Sequence, residues 1–108
     1  MISFGKSGEK RAALYLKKKG YHVIEMNYRS KFGEIDLIAK KNEELIFVEV
    51  KARSSAKFGM GYESVTAQKQ EKLIKTAQVY MMEKGEKPCR FDVISIDEDE
   101  ITHIESAF

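Results

Sequence analysis

The stretch FGEIDLIAKKNEELIFVEVKAR, residues 32–53, decides how this chain folds. Two apolar segments flank the short polar turn KNEE, a pattern that is typical of a β-hairpin. Charged residues nevertheless interrupt both segments, with Asp36 in the first and with Glu49 and Lys51 in the second. Burying a carboxylate is costly unless it is paired, hydrogen-bonded or bound to a metal. The placement of these three residues therefore asks for a chemical explanation.

A tight hairpin centred in the middle of KNEE predicts which of these residues face each other. The numbers of facing residues then add to 85, so that Asp36 faces Glu49 and Glu34 faces Lys51. Facing residues point to the same side of a sheet, with Cβ atoms about 4.5–5.5 Å apart, and strand alternation puts Glu49 and Lys51 on one side. We expect the four side chains to cluster at the end of the hairpin away from the turn.

Such a cluster of carboxylates predicts a metal site. Two facing carboxylates repel each other, and one is expected to take up a proton unless a cation lies between them. Mg²⁺ prefers oxygen ligands, and a bound metal can polarise a phosphodiester and activate an attacking water. Lys51 is then placed to orient or deprotonate that water, or to stabilise charge on the phosphate. The alternative is that Lys51 neutralises Glu34 and Asp36 in an ion pair on a solvated face.

The remaining sequence predicts an α/β fold in the order αβββαββ. A helix over residues 4–19 ends at Gly20, a natural left-handed cap. Strands follow at 21–28, 34–40 and 45–53, then a loop over 54–64 that contains Gly59 and Gly61, a helix over 65–84, and a hairpin of RFDVISI and ITHIES around the turn DEDE. Helical spacing predicts an inward stripe on the first helix that consists of Gly5, Glu9, Ala12, Ala13 and Leu16. The second helix is expected to turn Lys69, Leu73, Ala77, Tyr80 and Met81 inward.

Length and composition favour a single cytoplasmic domain over residues 1–108. The hydrophobic fraction of 43% is ordinary for a globular protein. No apolar run approaches the ~20 residues that span a bilayer, and the first residues lack the apolar region of a signal peptide. Cys89 stands alone, so no intramolecular disulfide is expected, which suits a reducing compartment.

Charge is distributed unevenly along the chain. The net charge is +2, yet residues 1–31 carry eight Lys or Arg against Glu9 and Glu25, and residues 91–108 carry six acids and no Lys or Arg. A basic N-terminal third can attract a polyanion such as nucleic acid. A solvated helix face explains the same charges.

The segments GEKRAALYL, GEIDLIA, FVEVKAR, the lysine-bearing second helix, RFDVISI and HIESAF follow one another in this order. The series resembles the YraN-like family of small endonuclease-like proteins, which belongs to the PD-(D/E)xK superfamily and is similar to the archaeal Holliday-junction resolvases. The resemblance covers nearly the whole chain. It implies the restriction-endonuclease-like fold, a mixed sheet of about five strands flanked by two main helices. Ile35 stands where the superfamily commonly has proline.

The resemblance also implies a set of site residues. Asp36 and Glu49 are expected to bind the metal, Mg²⁺ or Mn²⁺, and the backbone carbonyl of Val50 is expected to join them because the chain passes the ion there. Lys51 corresponds to the catalytic lysine. Glu9 matches an acidic residue on the first helix that reaches the metal through water. The implied partner is DNA, including branched DNA, cut by a homodimer without involvement of a membrane.

Four basic residues are candidates for contacts with DNA, and each has a plain structural alternative. Lys69 is placed to reach a phosphate near the site or to lie in solvent as an ordinary lysine. Arg53 is placed to bind the DNA backbone or to end its strand in water. Arg29 and Lys31 are candidates beside aromatic residues, or they belong to a hairpin surface. The glycines of the 54–64 loop permit close approach to phosphate, or simply make that loop flexible.

Two functions compete on this pattern. The first is a metal-dependent endonuclease that hydrolyses DNA phosphodiester bonds, at branched or repair-intermediate DNA. The alternative is a non-catalytic nucleic-acid-binding module on a nuclease fold, and a protein-interaction domain comes third. The complete set Asp36, Glu49 and Lys51 favours the enzyme, because a module that only binds has no need of it.

Overall fold

The structure, a computed structural model, describes residues 4–53 and 65–108, apart from the side chains of residues 4–7 and of Arg53. Its elements are helix α1 (Phe4–Lys18), strands β1 (His22–Ser30), β2 (Gly33–Lys41) and β3 (Glu44–Arg53), helix α2 (Ala67–Lys84), and strands β4 (Cys89–Asp97) and β5 (Glu100–Ile104). This is the predicted order αβββαββ, and the fold class is confirmed. The predicted loop over 54–64, with Gly59 and Gly61, lies outside the described residues.

The five strands form one mixed sheet in the order β1-β2-β3-β4-β5. Strands β3 and β4 pair in parallel, and the other neighbours pair antiparallel. Parallel neighbours need a long crossover connection, and α2 belongs to the one between β3 and β4. The register of β1 against β2 shifts between Val23 and Glu25, which leaves Ile24 as the extra residue of a bulge.

The two faces of the sheet carry separate cores. One core packs beneath α1 and contains Ala12, Ala13, Leu16, Tyr21, Leu37, Ala39, Ile46, Val48, Ile94 and Ile96. The other packs beneath α2 and contains Ile35, Ile38, Leu45, Phe47, Val65, Leu73, Ala77, Tyr80 and Val93. The predicted inward stripes are largely confirmed, and Thr76 is an additional buried residue of α2 whose hydroxyl lies 2.9 Å from that of Ser30. In the part of the chain that the structure describes, no helix is both long and apolar enough to cross a membrane.

The hairpin of β2 and β3 has the predicted register from Lys41, opposite Glu44, to Leu37, opposite Val48. Asn42 adopts the left-handed conformation in the turn, with φ of 56°, which asparagine tolerates well. The two further predicted pairs, Asp36 with Glu49 and Glu34 with Lys51, are not partners in this ladder. The ladder ends at Leu37 and Val48, three residue pairs before the predicted pair of Glu34 with Lys51, because the Asp36 side chain binds the backbone of β3, as described below.

Gly8 sets the distance between α1 and β3. A Cβ added at this buried glycine would lie 2.8 Å from the Cβ of Ala52 and 3.8 Å from a methyl carbon of Val50. Carbon atoms do not approach that closely without a shift of one element. The missing side chain therefore lets α1 pack directly on β3, which also fixes the position of the next residue, Glu9.

We expect Gly8→Ala to lower the stability of the protein. Overpacking costs about 1–3 kcal/mol, whereas the better helix propensity of alanine returns at most about 1 kcal/mol. Urea unfolding of the variant should show a lower free energy of unfolding than the wild type. Leu14→Ala, at an exposed position of the same helix, should change it little. A Gly8→Ala protein as stable as the wild type would mean that α1 and β3 separate easily.

A buried polar network holds β4, β5 and the C-terminal residues together. The fully buried carboxylate of Asp92 accepts hydrogen bonds from Arg90 Nε at 3.0 Å, from His103 Nε2 at 2.7 Å and from the backbone N–H of Ser106 at 3.0 Å. The Arg90 guanidinium also donates a hydrogen bond of 2.5 Å to the hydroxyl of Tyr21, the residue just before β1. Burial alone raises the pKa of Asp92, but the bonds from His103 and Arg90 outweigh it and hold the pKa below its ordinary value.

Candidate functional site

The site begins where β2 and β3 stop pairing. Asp36 Oδ2 accepts a hydrogen bond of 2.8 Å from the backbone N–H of Val50. The carboxylate thus takes the place of a backbone acceptor just past the last ladder pair. In a strand, the N–H and the C=O of one residue point to the same neighbouring strand. The Val50 carbonyl is therefore directed to the side of β3 on which Asp36 lies.

Three carboxylates from two elements converge at this point. One oxygen each of Glu9, Glu34 and Asp36 lies within 4.8 Å of the other two. Glu9 comes from α1, so the prediction that it points toward the protein agrees with its position. Glu34 is also held by Arg29, whose Nε donates to Glu34 Oε2 at 2.7 Å. The fold therefore concentrates negative charge around Asp36.

Glu49 lies beside this group with only 4% of its side chain exposed. Its Oε2 oxygen contacts two ammonium groups: Lys69 Nζ at 2.5 Å and Lys51 Nζ at 3.4 Å. Lys51 comes from the same strand, two residues further on, and Lys69 comes from the first turn of α2. The lysine that the sequence pairs with the carboxylates thus shares Glu49 with a second lysine from another element.

The charges of the site shift the pKa values of its members. Burial, and then the negative charges of Glu49 and Glu9, raise the pKa of Asp36 to about 8, although the Val50 N–H opposes the shift. Burial and the neighbouring Lys69 ammonium lower the pKa of Lys51. Burial alone would also lower the pKa of Lys69, but the hydrogen bond to Glu49 and the nearby negative charges together outweigh burial, so the pKa is raised. Asp36 thus lies among other carboxylates, whereas Glu49 contacts two ammonium groups.

A cleft of about 380 Å³ opens above these residues, between the end of the hairpin and the start of α2. Its lining combines the acids Glu34, Asp36 and Glu49 with Gly33, Thr66, Gln68, Lys69, Lys72 and Leu73. Thr66 caps α2, and its hydroxyl accepts from the N–H of Lys69 at 3.1 Å. The cleft therefore has an acidic floor and a basic wall formed by the first turns of a helix.

The donor set fits a hard divalent cation. Asp36, Glu49 and the Val50 carbonyl supply oxygen atoms, as do Glu9 and Glu34, and Mg²⁺ and Mn²⁺ prefer such ligands. Burial, and then the negative charges of Glu49 and Glu9, raise the pKa of Asp36. A divalent cation bound among these carboxylates would favour the charged form of Asp36.

Of the four basic residues predicted to contact DNA, Arg29 and Lys31 are not among those that line this cleft. Arg29 forms an ion pair with Glu34, and the ammonium of Lys31 lies 5.2 Å from the centre of the Phe32 ring. Arg53 ends β3, and its side chain lies outside the described part of the chain. Lys69 does line the cleft, where it contacts Glu49 and remains 41% exposed.

The sequence interpretation missed Lys72, Thr66 and Gln68 in the wall of the cleft. Helical spacing offered a signal for Lys72, because positions three apart share one face of a helix and Lys69 was already expected to point inward. The pairing of Lys69 with Glu49 had no signal, since it depends on where α2 lies over the sheet.

Comparison with known proteins places this chain among relatives of similar length. A family model described as "Uncharacterised protein family UPF0102" matches residues 8–96. The chain belongs to this family. A UPF0102 protein of Thermodesulfovibrio yellowstonii is 52% identical over 108 residues, which cover 99% of this chain and 96% of the relative. A UPF0102 protein of Clostridioides difficile is 49% identical over 108 residues, covering 96% and 95%.

A third relative, the UPF0102 protein of Persephonella marina, is 47% identical over 107 residues, covering 96% of this chain and 91% of the relative. The resemblance found in the sequence predicted a family relationship over nearly the whole chain, and the comparisons support one of that extent. The residues that the UPF0102 model matches include Glu9, Asp36, Glu49, Val50 and Lys51. Catalytic and metal-binding roles for these residues stay predictions.

Proposed function

We propose that this protein is a metal-dependent endonuclease that hydrolyses DNA phosphodiester bonds, at branched or repair-intermediate DNA. The observation that carries the proposal is the convergence of Asp36, Glu49 and Lys51 around the backbone of Val50, at the open end of one hairpin. The PD-(D/E)xK resemblance of GEIDLIA and FVEVKAR supports the same assignment. A structural ion pair explains Lys51, but it does not explain why a group of acids surrounds Asp36.

Each residue of the site has a separate role in the proposed reaction. Asp36, Glu49 and the Val50 carbonyl would hold Mg²⁺ or Mn²⁺, and Glu9 would contact it through water. When bound, the metal polarises the phosphodiester and lowers the pKa of the attacking water. The Asp36–Val50 hydrogen bond keeps one ligand in a fixed position relative to the other two. A site held this way is preorganised, which is what charge stabilisation in a transition state requires.

Lys51 supplies the proton chemistry or the positive charge. Its side chain is 22% exposed, and its Nζ atom lies 3.4 Å from Oε2 of Glu49, a residue that lines the cleft. Burial and the neighbouring Lys69 lower the pKa of Lys51, which favours its neutral amine form. The neutral Nζ can accept the proton of the attacking water, and the charged Nζ can stabilise a developing negative charge on phosphate.

The cleft suits a phosphate backbone once its acids are neutralised. Lys69 and Lys72 line the wall where the phosphates flanking the cut would pass. Phosphate contacts of this kind set affinity and register rather than sequence preference. The proposal therefore assigns recognition to DNA shape, which agrees with branched substrates.

The test is cleavage of linear, flapped and four-way DNA in Mg²⁺, in Mn²⁺ and in EDTA. We expect cleavage with either metal, none in EDTA, and a preference for branched DNA. A four-way junction needs two symmetric cuts, so we also propose that a homodimer acts on it in the cytoplasm. Binding of DNA without cleavage of any substrate in either metal would favour the non-catalytic binding module instead.

A second measurement separates catalysis from simple binding. In EDTA, the acidic floor repels a phosphate in the cleft, so Glu49→Gln should bind DNA at least as tightly as the wild type. The expected gain is about two- to tenfold, the effect of one partly screened charge. Affinities should be compared at one ionic strength, because phosphate contacts depend steeply on salt. If DNA lies elsewhere, as in the binding-module alternative, both the substitution and the metal should leave affinity unchanged.

A further inference from the structure

Two lysines contact the Glu49 carboxylate, and their side chains differ in how much of them is exposed to solvent. Lys51 projects from the middle of the sheet, where β3 pairs with β4, and 22% of its side chain is exposed. Lys69 projects from the start of α2 at the wall of the cleft, and 41% of its side chain is exposed. A rotation of the Lys69 side chain would therefore carry its ammonium into open solvent.

The backbone beneath Lys69 is fixed independently of its side chain. The Thr66 hydroxyl accepts the Lys69 N–H as the N-cap of α2, and the Gln70 N–H bonds the Thr66 carbonyl at 2.8 Å. The helix start is thus held by its own hydrogen bonds and not by the ion pair with Glu49. Movement of the Lys69 ammonium needs no movement of the helix.

The ammonium of Lys69 and a metal ion would compete for the same carboxylate. Lys69 Nζ lies 2.5 Å from Glu49 Oε2, which is as close as a charged hydrogen bond permits. Glu49 already contacts two ammonium groups, so a divalent ion bound to it would be a third cation at a nearly buried position where little water screens the repulsion. Occupation of Glu49 by a divalent ion therefore disfavours the present position of Lys69.

We infer that Lys69 is a built-in counter-ion for Glu49, which a divalent metal displaces and a DNA phosphate then receives. Without metal, its ammonium neutralises a carboxylate that is almost closed to water. With metal, the same ammonium turns toward the cleft beside Lys72. Metal and DNA binding are consequently coupled, since each favours the released position of one side chain. This inference rests on the proposed function, because it takes Glu49 as a metal ligand.

The test is calorimetric titration of the full chain with Mn²⁺ in the absence of DNA, for wild type and for Lys69→Met. Methionine keeps the apolar stem and removes the charge. We expect Lys69→Met to bind Mn²⁺ about fivefold more tightly or better, the range typical of coupling between sites. Lys72→Met removes the same charge from the same cleft wall. No ion pair joins Lys72 to Glu49 among the described residues, so this variant should gain clearly less.

Stability supplies a second readout that does not depend on catalysis. Lys69→Met leaves Glu49 with one cation, so the metal-free variant should melt at a lower temperature than wild type, and Mn²⁺ should raise its melting temperature by more than it raises that of wild type. Lys69→Gln should behave in the same way. Equal Mn²⁺ affinity for wild type and Lys69→Met, with wild type binding Mn²⁺, would overturn the inference alone. Absence of Mn²⁺ binding in every variant would overturn the proposed function as well.

Discussion

Lys51→Ala is expected to lower the rate of DNA cleavage by about 10²–10⁴-fold, the usual loss when a positioned acid–base or charge-stabilising group is removed. Lys51 Nζ lies 3.4 Å from Oε2 of Glu49, and Glu49 lines the cleft in which the phosphate would bind. Lys51 is the lysine that β3 contributes to the described site. The measurement is single-turnover cleavage in Mg²⁺ on the substrate that wild type cuts best.

Metal binding distinguishes loss of chemistry from loss of the site. Lys51 is not a metal ligand in this scheme, so Lys51→Ala should bind Mn²⁺ no more weakly than wild type. Lys51→Arg should also cut poorly, because a guanidinium does not give up its proton and has a different shape. A Lys51→Ala protein that cuts as fast as wild type would remove Lys51 from the mechanism.

Asp92→Asn is expected to lower the free energy of unfolding by about 3–5 kcal/mol, the usual cost of removing one partner of a buried ion pair. The carboxylate is fully buried and accepts from Arg90, His103 and the Ser106 N–H. An asparagine side chain has one acceptor oxygen and turns a donor toward one of these donors. Chemical denaturation at neutral pH measures the loss. Asp99→Asn, in the exposed turn between β4 and β5, is the matched control and should change stability little.

The stability difference between wild type and Asp92→Asn is expected to depend on pH, in a direction set by the lowered pKa of Asp92. The pKa of Asp92 is lower in the fold than its ordinary value of 3.8. The carboxylate therefore stabilises the fold above the ordinary pKa, and this contribution is lost as pH falls through the lowered value. The gap in stability between wild type and Asp92→Asn should be constant near neutral pH and should narrow in strong acid. A gap that widens in acid would contradict this account.

The sequence predicted the fold well where its signals were local. The turn KNEE determined the register of β2 and β3 because its length and polarity leave few alternatives, and Gly20 marked the end of α1 through its left-handed conformation, with φ of 91°. The arrangement around Asp92 was not predictable in this way. It depends on parallel pairing of β4 with β3 and on the return of β5, and the signal available was one aspartate in an apolar run.

The site was predicted in part. Alternation along β3 correctly grouped Glu49 with Lys51, and helical spacing correctly turned Glu9 inward. The assumption that the ladder continues to Asp36 was wrong, because a carboxylate that competes for a backbone N–H ends strand pairing. The partner of Lys69 depends on the tilt of α2 over the sheet, which side-chain spacing along one helix does not encode.

The bulge at Ile24 has a consequence for how molecules of this protein meet. Strand β1 borders the sheet and exposes Ile24 and Met26, which makes it a candidate for edge-to-edge association and aggregation. A bulge twists a border strand and breaks the regular spacing of its backbone groups, and Asn27, with φ of 56°, interrupts it again. Such a border is a poor template for another strand. A homodimer of this protein is therefore expected to use a surface other than β1.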